Sequence, residues 1–230
     1  MKSVMRPVVL LTAAILLAWG LAAMAAGTET TVPATPAAGS AATKAPASGT
    51  SSGAKVEPAP IWAFDPPHCS VVFFVKHILA KVPGRFDSYS GTVRFDPANL
   101  GGSSIDVSVD MGSVDTGVKK RDEHLKSPDF FDAAKYPGMR FVSQRITSKG
   151  GNEYLAEGDL TIKDVTKRIQ LPFVYLGTKP SPMEQGKQLA GFEAHFSINM
   201  LEYHVSDGKF QKMGVLGDTA EIVINLEMVR

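Results

Sequence analysis

The chain has 230 residues, with 24 Lys+Arg against 23 Asp+Glu, a formal charge of +1 and 44% hydrophobic residues. This composition is that of a globular protein. The near-neutral balance argues against a nucleic-acid protein, which normally carries a strong basic excess, and against an electrostatic membrane-surface binder. A single cysteine, Cys69, excludes an internal disulfide framework and any multi-cysteine zinc or iron–sulfur centre.

The N-terminus reads as a signal peptide over residues 1–25. Lys2 and Arg6 supply the positive start, Val8 to Leu21 the apolar run, and Ala23-Met24-Ala25 the small-x-small cleavage pattern. An uncleaved anchor is the alternative, although the run is short for a bilayer span of about 20 residues. No stable membrane span is expected after cleavage, and the destination is the periplasm. Residues 26–60 carry Pro33, Pro36, Pro46, Pro58 and Pro60 among Ala, Thr, Ser and Gly, which predicts a disordered tether. The folded domain is expected over 61–230, a length that can bury a sizeable core.

From Ile61 onward, apolar residues alternate with polar ones. In chain order the period-2 faces are Val71/Phe73/Val75, Val93/Phe95, Ile105/Val107/Val109/Met111 and the 139–145 segment. They continue with Leu160/Ile162, Ile169/Leu171/Phe173/Tyr175, Phe192/Ala194/Phe196/Ile198 and Ile222/Ile224/Leu226. These predict about eight antiparallel strands with one face buried and one wet. A sheet of that size curls or splits to manage its edges, so a closed barrel or a sandwich follows.

One stretch departs from the alternation, near 119–135. Lys119 to Leu125 suits a short helix, and Ser127, Pro128 and Asp129 have the order of a cap and first turn of a second helix that Pro137-Gly138 ends. Such an insertion either lids one end of a barrel or decorates its outside.

There is no H-E-x-x-H, Walker A loop, G-x-G-x-x-G or C-x-x-C, and none of the predicted strands carries a G-x-S-x-G. None of the five histidines pairs at i, i+4, so no helical zinc pair exists, and no metal or other cofactor is expected. His68 and Cys69 are strand neighbours that point to opposite faces, which favours an inert thiol. Arg121, Asp122 and His124 form the densest polar group, either a headgroup grip or a clamp ordering the helix. Nine phenylalanines (73, 86, 95, 130, 131, 141, 173, 192 and 196) fall at inward positions. An eight-stranded barrel of this kind is either filled by its own side chains or holds one small ligand.

As a set, FDPPHCSVVFFVKH (64–77), GRFDSYSGTVRFDP (84–97), SVDTG (113–117), RDEHLKSPDFFDAAKYPGMRF (121–141), GDLTIKDVTKRIQL (158–171) and GFEAHFSIN (191–199) resemble the YceI-like family of periplasmic proteins. The resemblance implies an all-β, eight-stranded antiparallel lipocalin-like barrel with a long hydrophobic tunnel. It also implies a non-covalently bound amphiphile: a polyisoprenoid, an isoprenoid quinone or a fatty acid derivative. No catalytic residue is carried over. The lining expected here is Val71, Phe73, Val75, Val93, Phe95, Phe130, Phe131, Phe141, Leu160, Ile162, Phe173, Phe192, Phe196 and Ile198. His77, Arg121, Asp122 and His124 serve as headgroup contacts or clamp, and His68 and Gly158–Thr161 are further motif positions. The chain departs from the pattern at Cys69, where a small hydroxyl residue is usual, at Met200–Tyr203, which is less polar than usual, and at the apolar Val72 and Phe74.

The expected function is therefore sequestration or transport of a lipid in the periplasm, without enzymatic activity. The alternatives are a ligand-free structural barrel, or an enzyme acting on an isoprenoid with His77 or His124 as acid/base. Val72 and Phe74, projecting outward from one strand, predict a homodimer contact.

Overall fold

The computed structural model describes residues 56–230. The expected signal peptide and nearly all of the tether lie outside the described residues. The tether's last residues, however, belong to the domain. Ala59 is buried, its N–H donates to Gly102 O (2.9 Å), Asn99 Nδ2 donates to Glu57 O (2.7 Å), and Phe95 N donates to Pro60 O (3.2 Å). The domain thus includes residues before Ile61, because these backbone groups find partners on the barrel.

Eight long antiparallel strands form the barrel, and three of them are broken in two. β1 (Ile61–Phe64) and β2 (Ser70–His77) make the first, β3 (Ala80–Phe86) and β4 (Tyr89–Arg94) the second, and β5 (Ser104–Asp110) and β6 (Val114–Asp115) the third. β7 (Gly138–Gly150), β8 (Glu153–Ile162), β9 (Val165–Pro180), β10 (Gln188–Asn199) and β11 (Leu216–Val229) are continuous. The ring runs β1-β4-β5-β7-β8-β9-β10-β11 and closes where Ala63 and Phe64 of β1 face Val229 and Met228 of β11. Further along, β11 pairs instead with β2 (Ile222↔Phe73, Ile224↔Val71), β2 with β3, and β3 with β6.

The breaks have local causes. Pro66 and Pro67 have no N–H to give a ladder, and a single 3₁₀ turn replaces the strand there. After β5, Asp110 Oδ1 accepts from Gly112 N (2.7 Å) and folds Met111–Ser113 into another turn, so Met111, expected in the strand, is instead buried just beyond it. The breaks lie side by side: Asp87 N donates to Ser113 O (3.3 Å), and Asp110 N to Ser88 O (2.9 Å).

Alternation explains the core. In β8 the residues Tyr154, Ala156, Gly158, Leu160 and Ile162 are buried and those between them are wetter. Phe73 stands opposite Gly84, whose missing side chain makes room for the ring: a Cβ there would lie 2.1 Å from Phe73 Cζ. One end of the barrel is plugged by aromatics around Phe95. Its ring lies 5.0 Å from Tyr154, 5.1 Å from Tyr175 and 5.5 Å from both Phe173 and Phe192. Trp62 closes this end, with Nε1 donating to Phe95 O (2.9 Å) and Arg230 stacked on its ring.

α1 (Lys119–Lys126) forms as expected, but the second helix after Ser127 does not. Ser127 Oγ donates backward to His124 O (2.7 Å), ending α1 rather than capping a new helix. Asp132 then takes φ +50°, and the chain proceeds in turns to β7. A short helix that the sequence did not announce, α2 (Lys209–Lys212), follows the Met200–Val205 turn. Val72 and Phe74 are half-buried rather than exposed: Val72 lies between Val223 and Arg85 and borders the interior, and Phe74 lies between Glu221 and Pro83.

Candidate functional site

The interior holds an apolar cavity of about 450 Å³. All fourteen expected residues line it, from Val71, Phe73 and Val75 through Val93, Phe95, Phe130, Phe131, Phe141, Leu160, Ile162, Phe173, Phe192 and Phe196 to Ile198. The same alternation supplies further wall residues: Ile105, Val107, Val109, Leu171, Ile222, Ile224 and Leu226. Their pattern was visible in the sequence. Met200, Val205 and Phe210 also line the cavity, and no periodicity announces them because they lie in a turn and a one-turn helix. Among the described residues, no buried side-chain nitrogen or oxygen lacks a hydrogen-bond partner. Most of the lining is aliphatic or aromatic, with Tyr89, Glu193 and the polar groups of the mouth as the exceptions, so what fits it is mainly apolar.

The Phe95 cluster closes one end. At the other, the lining reaches the exposed His77 and His124 beside Val82, Thr116, Arg121, Val215 and Leu216. The insertion is a lid there rather than an outer decoration, since His124 and Leu125 of α1 and the following Phe130 and Phe131 all face the cavity. Phe130 stacks on Phe210 at 5.7 Å, and the edge of His124 meets Phe130 at 5.0 Å. His124 Nε2 bonds Asp129 Oδ2 (2.9 Å), Lys209 Nζ reaches Asp129 (3.2 Å), and Lys163 Nζ donates to Phe130 O and His204 O (2.7 Å each). The hydrogen bonds from His124 and Lys209 hold the Asp129 carboxyl below the usual carboxylate range.

Arg121 and Asp122 form a clamp on one residue. Arg121 Nε donates to Thr116 Oγ1 (2.7 Å) and Nη2 to Thr116 O (2.8 Å), while Asp122 Oδ1 accepts from Thr116 N (2.8 Å) and Oγ1 (2.5 Å). Arg121 still borders the cavity, but Asp122 does not, so of the four polar residues expected at the site Asp122 is the one placed elsewhere. Its carboxylate is committed to ordering the loop before α1.

His68 and Cys69 stand at the break between β1 and β2. His68 Nδ1 bonds Asp65 Oδ2 (2.7 Å), and that hydrogen bond raises its pKa above the ordinary histidine value. Cys69 Sγ donates to Glu227 O (3.1 Å), and burial pushes the thiol up, away from the reactive thiolate. Tyr89, which borders the cavity, is pushed up to about 12, mainly by burial. Asp65, His68 and Glu227 bring three metal-ligating atoms within 4.8 Å of one another, on the outer surface and apart from the cavity.

Comparison with known proteins places this geometry. A model described as "YceI-like domain" matches residues 62–228. Protein YceI of Escherichia coli O157:H7 is 32% identical over 164 residues, covering 71% of this chain and 82% of that protein. Among solved structures, Burkholderia cenocepacia BcnA superposes with a TM-score of 0.64 at 27% identity, covering 73% of this chain and 99% of that one. A polyisoprenoid binding domain from Saccharophagus degradans shares the fold, with a TM-score of 0.53 at 16% identity over 73% of this chain and 97% of its own. With its barrel, its cavity and a match across nearly all of the folded domain, the chain belongs to the YceI-like domain family.

Proposed function

We propose that the protein binds one amphiphile with a long apolar chain, taking the tail into the barrel and leaving the polar end at the His77–Arg121–His124 mouth. The observation that carries this reading is the predominantly apolar lining, which runs from the Phe95 plug to the lid. Each buried methylene contributes about 0.8 kcal/mol, so about ten of them supply ~8 kcal/mol before ordering costs, without any specific polar contact. Arg121 spends two donors on Thr116 and Asp122 faces away, so the mouth has little with which to select a headgroup. Polyisoprenoids, isoprenoid quinones and fatty acid derivatives all meet this demand, and the ligand class named for the Saccharophagus domain supports the first. The role is carriage or sequestration in the periplasm rather than catalysis, with His124 tied to Asp129.

Native mass spectrometry of the purified protein, with extraction and identification of any retained lipid, tests the proposal. A co-purifying chain, or stoichiometric uptake of an added isoprenoid alcohol, is expected. A barrel that is always empty and takes up neither isoprenoid nor fatty acid would make it a structural barrel and overturn the reading.

A further inference from the structure

The β2–β3 hairpin turns at Ile78-Leu79, between the paired residues His77 and Ala80. A two-residue turn favours Asn-Gly or Gly, because positive φ strains most side chains. Here a β-branched residue takes that conformation, Ile78 with φ +53°, and its neighbour Leu79 is 93% exposed. Strain and exposure are thus both accepted at one apolar tip, which is where strain points to function.

Two other exposed apolar side chains share this rim. Ile78 N donates to Val215 O (2.9 Å), which puts Met213, 70% exposed, next to the tip. The β3–β6 register (Phe86↔Val114, Arg85↔Asp115) carries the chain back along β3, so that the exposed Val118 approaches the same end. Val82, Val215 and Leu216, immediately inside, line the cavity.

Most of the charges left without an ion pair at this rim are basic. The rim carboxylates Glu221, Glu123 and Asp207 each face a lysine already (Lys81, Lys119 and Lys209), and a fourth, the exposed Asp218, forms no ion pair among the described residues. Lys76, Lys120 and Lys212 are exposed, and among the described residues no carboxylate stands within ion-pair distance of them. Apolar tips set among free cations, around the opening of an apolar cavity, match the chemistry of an anionic bilayer surface.

We propose that the protein docks on anionic membranes through this rim, inserting Leu79 and Met213 between headgroups so that a lipid chain passes directly between bilayer and cavity. The proposal rests on the chain-binding function above and names where the chain is loaded. It is tested by flotation of the purified protein with vesicles of phosphatidylglycerol and phosphatidylethanolamine, against vesicles of phosphatidylcholine alone. The parent should associate with the anionic vesicles and lose association as salt rises. The Leu79→Ser, Met213→Ser double variant should bind them at least about tenfold more weakly, while its melting temperature and its uptake of a fluorescent fatty acid from solution stay unchanged. Absence of vesicle binding by the parent, equal binding to neutral vesicles, or undiminished binding by the double variant would overturn docking. So would a dimer of the parent that the double variant dissociates, since the tip would then meet a second copy. Vesicle binding without fatty acid uptake would uphold the docking rim and refute the chain-binding cavity.

Discussion

Phe196→Asp separates a ligand cavity from a packed core. Phe196 stands opposite Ile222 across β10 and β11, half-buried and facing the cavity. In the empty barrel water can reach the new carboxylate, so folding should lose no more than about 1–3 kcal/mol. A bound chain removes that water. If the chain raises the carboxyl pKa by about three units, from ~3.9 to ~7, the ionised carboxylate of this variant opposes binding by ~4 kcal/mol at pH 7, or about a thousandfold. At pH 5 only about one unit of that gap remains, so the loss shrinks to ~1.5 kcal/mol, near tenfold. The sign is fixed: the carboxyl pKa is higher in the complex, so affinity returns as pH falls through that raised value. Displacement of a fluorescent fatty acid at pH 5 and pH 7 measures both numbers, with Phe196→Leu as the control that should bind like the parent. A folded Phe196→Asp protein that binds as tightly as the parent at pH 7 would refute the assignment of this face to the ligand.

Cys69→Ser should shift melting by no more than about 2–4 °C and leave lipid binding intact, because a serine hydroxyl can also donate to Glu227 O. Thr116→Val strips the clamp of the oxygen that Arg121 and Asp122 share and should cost about 1–3 kcal/mol, read as a melting point ~3–10 °C lower. In an NMR titration, His68 should titrate above 6.5 and return towards it in Asp65→Asn. Being raised in the fold, its contribution to stability is present below the unfolded pKa of about 6.5 and is lost as pH rises through the folded value. An unchanged His68 titration in the variant would disprove the pairing. Val72→Glu with Phe74→Ser should lower the mass seen in sedimentation if the outer face of β2 is a dimer contact; a parent that is monomeric at high micromolar concentration ends that idea.

The regular part of this molecule was readable because a β-strand encodes its inside face directly. Phe192, Phe196 and Ile198 or Leu160 and Ile162 alternate in sequence, and they line the cavity. What was hidden depends on partners far along the chain. Ser127 precedes Pro128 as a cap should, yet its hydroxyl turns back to His124 O, and the chain beyond it is held by Phe130 stacked on the distant Phe210. Met200–Tyr203 looked like a departure from a polar segment, but Met200 N bonds Asp218 O, and Met200 and the following Val205 line the cavity. Asp122 shared a polar run with Arg121 and His124, and helix geometry turned it alone away from the mouth.

The three strand breaks, at Asp65–Cys69, Asp87–Ser88 and Met111–Ser113, lie at one level of the wall and divide it into two regions of unequal persistence. Below them β1, β4 and β5 belong to the closed ring and are stitched to the aromatic plug; above them β2 and β3 end on the two-residue β6. Amide hydrogens of β3 should therefore exchange with solvent through an opening much smaller than global unfolding, while those of β8 should exchange only when the whole domain unfolds. A barrel built this way can widen at one rim to admit a bulky chain and still keep its other end watertight, with no separate moving domain.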